Sequence, residues 1–547
     1  MDKKMITILL VVSLSVLILV NAQVAAVGVE LLSRYDSMAG FDAGGAEIIA
    51  YDPTSYKAFV TNGADKAVDI LDISNPNKIS LVKRISLEDL NIVGFKADDI
   101  TSVAVHPDRN YIAVAISAEP KTRKGRVAFL NIEGNLLGTV GVGSLPDMLT
   151  FTPDGKMLLV ANEGEPGDDY IVDPIGSVSI IDLNNGMDRA VVVELGFDFI
   201  TADKIQQGIR IFGPNTTLAR DMEPEYIVVS PDSMTAYVVL QENNALAKID
   251  LKKKRYEYIY SFGFKDHSLP GNKLDASNRD YQINIRNWPL LGMYLPDGID
   301  LFVDNGEIYI ITANEGDARD YDGFSEEIRA KDIANIINLK ANYYQGYSQS
   351  ELDRLMEANL FSDVNLGRIK LTNTLGKNEE GIYEALYSYG TRSFSIWKPT
   401  NLGLELVFDS GSDFEEILAR ELPDYFNTNN DKTEMDGRSD DKGPEPEDVK
   451  VGIINGRRYA FIGLERISGF MVYDITNPSA PVFEMYVSSR DYSVQLADYE
   501  KGELMDAGDV APEGLRFIPV EESPTGMPLL LIASEVSGTV GIFEITN

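Results

Sequence analysis

The chain runs to 547 residues, 44% of them hydrophobic, which is ample for one or more large cores. Asp and Glu number 85 against 49 Lys and Arg, and the formal net charge of -36 repels nucleic acid and anionic lipid while favouring cations and basic partners. There is no cysteine and there are only two histidines, which removes disulfides, thiolate metal sites, cysteine catalysis, a His-based zinc cluster and a Ser-His-Asp triad.

Residues 1–26 read as an export signal. Lys3 and Lys4 precede an apolar run from Met5 to Val20, and Val24 and Ala26 suit the positions before a cleavage site. The alternative is the same run retained as a membrane anchor; no other stretch is long and apolar enough to span a bilayer. The remainder, 27–547, is expected to be one domain lying outside the cell or on its surface.

Beyond the signal, Val29 to Arg34 reads as a strand without a repeat of its own. A repeat then runs to the end of the chain, with weaker copies opening at Glu47 and at Asp98-Asp99. The clearest copy spans Leu145 to Leu183: Pro146-Asp147, an apolar stretch to Phe151, the turn Thr152-Pro153-Asp154-Gly155, Met157 to Val160, then Glu163 and Ser177 to Leu183. Related copies open at Glu225, Asp297, Glu447 and Glu513. Short apolar runs split by Pro, Gly, Asn and Asp turns signal strands and hairpins, and four such strands per copy predict an all-β, seven-bladed β-propeller of four-stranded antiparallel blades. The last copy stops at its third strand, Ile542 to Ile545, so the 29–34 segment is expected to complete that blade.

With strands A to D counted outwards from the channel, the loop entering A and the loop leaving B lie at the same end of a meander. The carboxylates opening the copies (Glu47, Asp99, Asp147, Glu225, Asp297, Glu447, Glu513) and those following strand B (Glu163, Glu242, Glu315, Glu465, Glu535) are therefore expected on one face, around the channel mouth. The long insertions, above all 317–389 and the acidic 410–444, obey the same rule. Within them, Ser325 to Asn335 reads as a helix, Ser348 with Glu351 as a capping box opening a second, and Gly367–Thr372 and Ile382–Ser388 as strands that leave room for an eighth blade.

Two carboxylates about 4 Å apart repel by roughly 4 kcal/mol at an effective dielectric near 20. A crowded ring must take up protons, pair with cationic side chains or bind a metal, and an all-oxygen donor set suits calcium. The candidate metal ligands are Glu163, Asp297, Glu315, Glu447, Glu465 and Glu513. Arg319, Arg438, Lys442 and Arg466 lie beside them in the chain and are candidates for gripping an anion. His106, in an A–B turn, reads as structural, and His267 as a surface polar residue.

The stretches Ala313-Asn314-Glu315-Gly316-Asp317-Ala318-Arg319, Arg438-Ser439-Asp440-Asp441-Lys442-Gly443-Pro444-Glu445-Pro446-Glu447, Gly463-Leu464-Glu465-Arg466 and Val472-Tyr473-Asp474-Ile475-Thr476-Asn477-Pro478 resemble the choice-of-anchor I domain family. That family is akin to the mesenchyme-specific cell-surface glycoproteins, with propeller repeats of the YVTN/LVIVD type. The resemblance implies a secreted or surface propeller and supplies no catalytic residues, although some members carry an alkaline phosphatase label. The function expected is a binding or scaffold protein with calcium at the channel mouth and cell-surface proteins or polymers as partners. The alternative is a calcium-dependent phosphohydrolase, like an alkaline phosphatase or propeller phytase, with Arg438, Lys442 or Arg319 on the phosphate.

Overall fold

A computed structural model describes residues 27–108, 110–214 and 216–546; the export signal read at 1–26 lies outside them. Among the described residues, seven sheets have four antiparallel strands each. Their A strands are Ile49–Asp52, Ala97–Val105, Pro146–Phe151, Pro224–Val229, Ile299–Asp304, Pro446–Ile454 and Pro512–Ile518. The first six sheets run A to D in chain order; in the fifth, the 317–389 insertion separates strand B, Glu307–Ala313, from strand C, Phe394–Thr400. The seventh takes its outer strand from the other end of the chain: Gly28–Asp36 pairs antiparallel with Thr539–Thr546, Val29 opposite Ile545.

Successive residues of a strand face opposite ways, and here both faces are covered. In strand B of the first sheet, Ala58 and Val60 point into a core shared with the seventh sheet (Leu531, Ile542), while Phe59 points into one shared with the second (Ile112, Val114). The same two-sided packing continues around the molecule, each sheet sharing one apolar cluster with the next, so the ring closes. This is a β-propeller. Its strands read as near-continuous apolar runs because neither face meets water, and each fully buried Val, Leu, Ile or Phe contributes about 1.5–3 kcal/mol. The A strands surround a central channel; its part towards the A–B turns holds a cavity of about 720 Å³, lined by residues of all seven, among them Ala50, Ser102, Thr150, Tyr226, Asp300, Lys450 and Arg516.

The insertions pack on one another. Leu274 and Trp288 share a core with Ile333, Leu352, Leu371 and Tyr383. The capping box at Ser348 and Glu351 opens a helix, Gln349–Glu357, as the sequence predicts. The helix expected from Ser325 does not form: Phe324–Ser325 and Glu327–Arg329 are short strands, followed by a 3-10 helix Ala330–Ile336. The reason is Glu326, fully buried and paired with Arg210, which pins an extended backbone where a helical turn was expected. The strands read at 367–372 and 382–388 shorten to Lys370–Thr372 and Tyr387–Ser388, in sheets of two and three strands. Among the described residues no helix is long and apolar enough to cross a membrane.

Candidate metal centre

A repeated local irregularity builds the channel mouth. In four sheets strand A opens on proline and then slips register: Pro146 opposes Asn162 but Leu149 opposes Val160, and the same shift separates Pro224 from Ile227, Pro446 from Val449 and Pro512 from Leu515. A bulge leaves a residue outside the ladder and re-aims its side chain. The residue after each proline is an acid: Asp147, Glu225, Glu447 and Glu513. Before the proline, Leu145, Glu445 and Ala511 adopt left-handed backbone (φ 45°, 51° and 63°), and their carbonyls accept the amides of Glu163, Glu465 and Glu535 at 2.9, 2.8 and 2.8 Å. Each left-handed residue costs about 1–2 kcal/mol. The strain sets the acid after strand B beside the acid that opens strand A.

Three groups of carboxylates result, each with one oxygen per residue within 4.8 Å of the others: Asp297, Glu447 and Glu513; Glu315, Glu447 and Glu465; and Glu163, Glu225 and Glu242. All six candidate ligands are among them. Five gather around Glu447, which belongs to two groups, while Glu163 stands in the third with Glu225 and Glu242. Gly298 and Gly514 allow the A strands to come this close: a Cβ would meet Asp448 Cα at 2.5 Å and the Glu47 carbonyl oxygen at 2.5 Å, respectively. One carboxylate oxygen each of Glu225, Glu242 and Glu447 is buried without a hydrogen-bond partner. Glu315 is better satisfied, with Gln241 donating to Oε2 at 2.8 Å and Lys442 to Oε1 at 2.5 Å.

Burial, then mutual repulsion, makes the charged forms unfavourable. Asp297 is pushed up to about 8 by burial and the Glu315 charge, against a hydrogen bond with Glu447. Burial likewise takes Glu465 to about 8, with Arg466 opposing and Glu445 reinforcing, and Glu47 to about 8, with Glu535 reinforcing. Glu447, Glu513, Glu225 and Glu163 are all raised well above the ordinary carboxylate range by burial and neighbouring acids. Such a site must hold protons or a cation.

The four basic candidates are already committed. Arg319 is 1% exposed, its Nη1 2.8 Å from Asp221 Oδ1 and its Nε donating to Glu223 Oε2 at 3.0 Å. Arg438 Nε and Arg466 Nε donate to opposite oxygens of Glu445 at 3.0 and 2.9 Å, and Lys442 Nζ lies 3.1 Å from the same carboxylate. Arg466 Nη1 also reaches Glu465 Oε1 at 2.9 Å. Glu445 is fully buried, and these three cations hold its carboxyl well below the usual range despite burial.

Sequence reasoning overlooked Glu445 and Glu223, although a signal exists. The slot before the proline holds Leu145, Leu295 and Ala511 in other copies, so an acid there has left an apolar position and needs a buried cation. His106 is structural as expected, with Nε2 2.9 Å from the Gly155 carbonyl oxygen and its ring stacked on Tyr111. His267 corrects the surface reading: it is 1% exposed, Nδ1 lies 2.8 Å from the Asn272 carbonyl oxygen, and burial keeps the ring neutral. Its loop folds beneath Trp288, whose amide donates to the His267 carbonyl at 3.1 Å.

The sequence profile of the choice-of-anchor I domain matches residues 47–478, from the first strand-A acid through six of the copies. Gigasin-3a of Magallana gigas is 32% identical over 192 residues, 34% of this chain and 66% of that protein. The mesenchyme-specific cell surface glycoprotein of Strongylocentrotus purpuratus is 29% identical over 296 residues, 50% of this chain and 37% of that one. The chain thus spans less than two thirds of the length of these curated relatives. Among solved structures, the β-propeller domain of Myceliophteria thermophila Cps50 (Swd1) is 8% identical and aligns over 94% of this chain and 100% of that one with a TM-score of 0.46.

Proposed function

The chain belongs to the choice-of-anchor I family, and we propose that it works outside the cell as a seven-bladed β-propeller, a single domain over 27–547, that binds or scaffolds surface partners through calcium at its acidic channel mouth. The observation that carries this reading is the group around Glu447. Two groups of three carboxylates, from three adjacent sheets, share Glu447, which keeps one buried oxygen unpartnered. A divalent cation would replace the protons that crowding otherwise enforces, and oxygen ligands on loops suit calcium's flexible coordination. Asp297, Glu315, Glu447, Glu465 and Glu513 would hold it, with Glu163 serving the neighbouring group. A surface location is supported by the export signal read at 1–26 and by a relative named as a cell surface glycoprotein. Partners would be cell-surface proteins or polymers, held through the cation or the insertions around it.

The phosphohydrolase alternative needs Arg438, Lys442 or Arg319 to receive a phosphate. Their pairing with Glu445, Glu315, Asp221 and Glu223 weighs against it, because an anion would have to displace buried carboxylates. Calorimetric titration of calcium into chelated protein tests the binding reading: heat and a rise in melting temperature are expected, and the absence of both would remove it. The same protein with calcium and a generic phosphomonoester should show no turnover; turnover that disappears in Glu447→Gln would favour the enzyme.

A further inference from the structure

A second acidic group shares no residue with the channel mouth. Asp275 and Asp280 belong to the 263–293 connection, between the fourth and fifth sheets, and Asp436 to the 410–444 connection, between the fifth and sixth. One carboxylate oxygen of each lies within 4.8 Å of the other two. Asp436 is 3% exposed, and both of its carboxylate oxygens are buried without a hydrogen bond of normal geometry, the Ser439 side chain alone coming close. Asp275 is also buried, accepting from the amides of Ser277 and Asn284 at 3.2 and 2.5 Å. Asp280 accepts from Asn284 Nδ2 at 3.1 Å.

Among the described residues no ion pair reaches this group, although the Arg286 guanidinium lies near enough to feel the charges of Asp280 and Asp275. Arg392 packs here, but its guanidinium donates to the main-chain oxygens of Asp275, Ser439 and Asp441 and to Glu415. Nearby, the Asp436 amide donates to the Phe426 carbonyl at 2.6 Å, and the next residue, Asn427, keeps its side-chain carbonyl oxygen buried and unpartnered. Oxygens about 2.4 Å from one calcium ion stand no more than about 4.8 Å apart, which is the span these carboxylates keep. A buried carboxylate with both oxygens idle is unfavourable unless something positive fills the gap.

We propose that Asp275, Asp280 and Asp436 hold a calcium ion that ties the two connections to each other. The ion is a cross-link in a chain that has no disulfide, and it fixes the insertion core beside the channel mouth. It is distinct from the cation proposed at Glu447.

Terbium, which takes oxygen ligands as calcium does, is the probe. Trp288 Nε1 donates to the Leu274 carbonyl at 3.0 Å, one residue before Asp275, so its indole is placed to sensitise an ion held there. In chelated full-length protein excited in the indole band, saturable terbium luminescence displaced by calcium is expected. Asp280→Asn, at a half-exposed position, should weaken terbium binding at least tenfold, and Asp436→Asn should abolish it. Glu447→Gln should leave the signal in place. Absence of the signal from the wild type, wild-type affinity in Asp280→Asn, or loss of the signal in Glu447→Gln would each overturn the proposal. Should Asp436→Asn fail to fold, Asp280→Asn decides alone.

Discussion

Lys442 Nζ lies 3.1 Å from Glu445 Oε2, three residues further along the chain, while Glu447, two residues beyond, points one buried oxygen at nothing. The two glutamates flank one proline and stand in opposite electrostatic situations. Glu445→Gln would leave Arg438, Lys442 and Arg466 facing one another in a buried site. Breaking such a cluster from one side should destabilise by about 3–5 kcal/mol, read as a lower midpoint of thermal or chemical denaturation.

Glu447→Gln should do the reverse in chelated protein. It removes an acid whose ionised form burial and neighbouring acids disfavour, so the melting temperature should hold or rise. The share of the calcium gain owed to this site should vanish, about 2.7 kcal/mol at a calcium concentration a hundred times its dissociation constant, leaving the share of the ion at Asp275, Asp280 and Asp436. An undiminished calcium increment in the variant would contradict the assignment of Glu447 as a ligand.

Stability should depend on pH with a definite sign. Asp297 and Glu465 titrate near 8 in the folded protein against ordinary values of 3.8 and 4.5. Between about pH 4.5 and 8 the folded chain therefore binds more protons than the unfolded chain, and chelated protein should lose stability as pH rises through that window. Glu445, held low, acts oppositely and withdraws its support as pH falls below the ordinary carboxylate range. Denaturation midpoints of chelated protein should be higher near pH 5.5 than near pH 8.5. Calcium should bind more tightly at the higher pH because fewer protons must leave.

The closing strand also ties the seventh sheet to the first. Tyr35 OH donates to Asp69 Oδ2 at 2.9 Å, and Arg84 grips the same carboxylate. Tyr35→Phe should cost about 0.5–1.5 kcal/mol, the worth of one hydrogen bond, since Asn62 and Arg84 still donate to Asp69 Oδ2 at 3.2 and 2.8 Å. Deleting residues 28–36 should lower the melting temperature of the whole disc and expose the 539–546 strand as an aggregation-prone edge. Equal melting of truncated and full protein would mean that this pairing does not matter for the ring.

The sheets were legible because each repeat buries both faces of its strands, leaving short apolar runs between turns that local pattern reveals. The acids at the mouth were legible for the same reason, since they recur at a fixed step from the proline. Much that surrounds them was not. Arg210 meets Glu326, and Arg392 meets Asp275, across separations of 116 and 117 residues, and no local pattern announces such partners. His267 looked exposed because its neighbours in sequence are polar, whereas the residues that cover it come from other segments. The helix misread at Ser325 has the same origin.

Because the seventh sheet draws on residues 28–36 and 512–546 together, its first-made strand must wait until residues 539–546 have been made for its partner. A product stalled or clipped before its final strand would carry an idle ribbon at one end and a half-built wall at the other, both easy prey for a protease. Ring geometry thus doubles as a check on the disc: the molecules that last are those whose ring has shut.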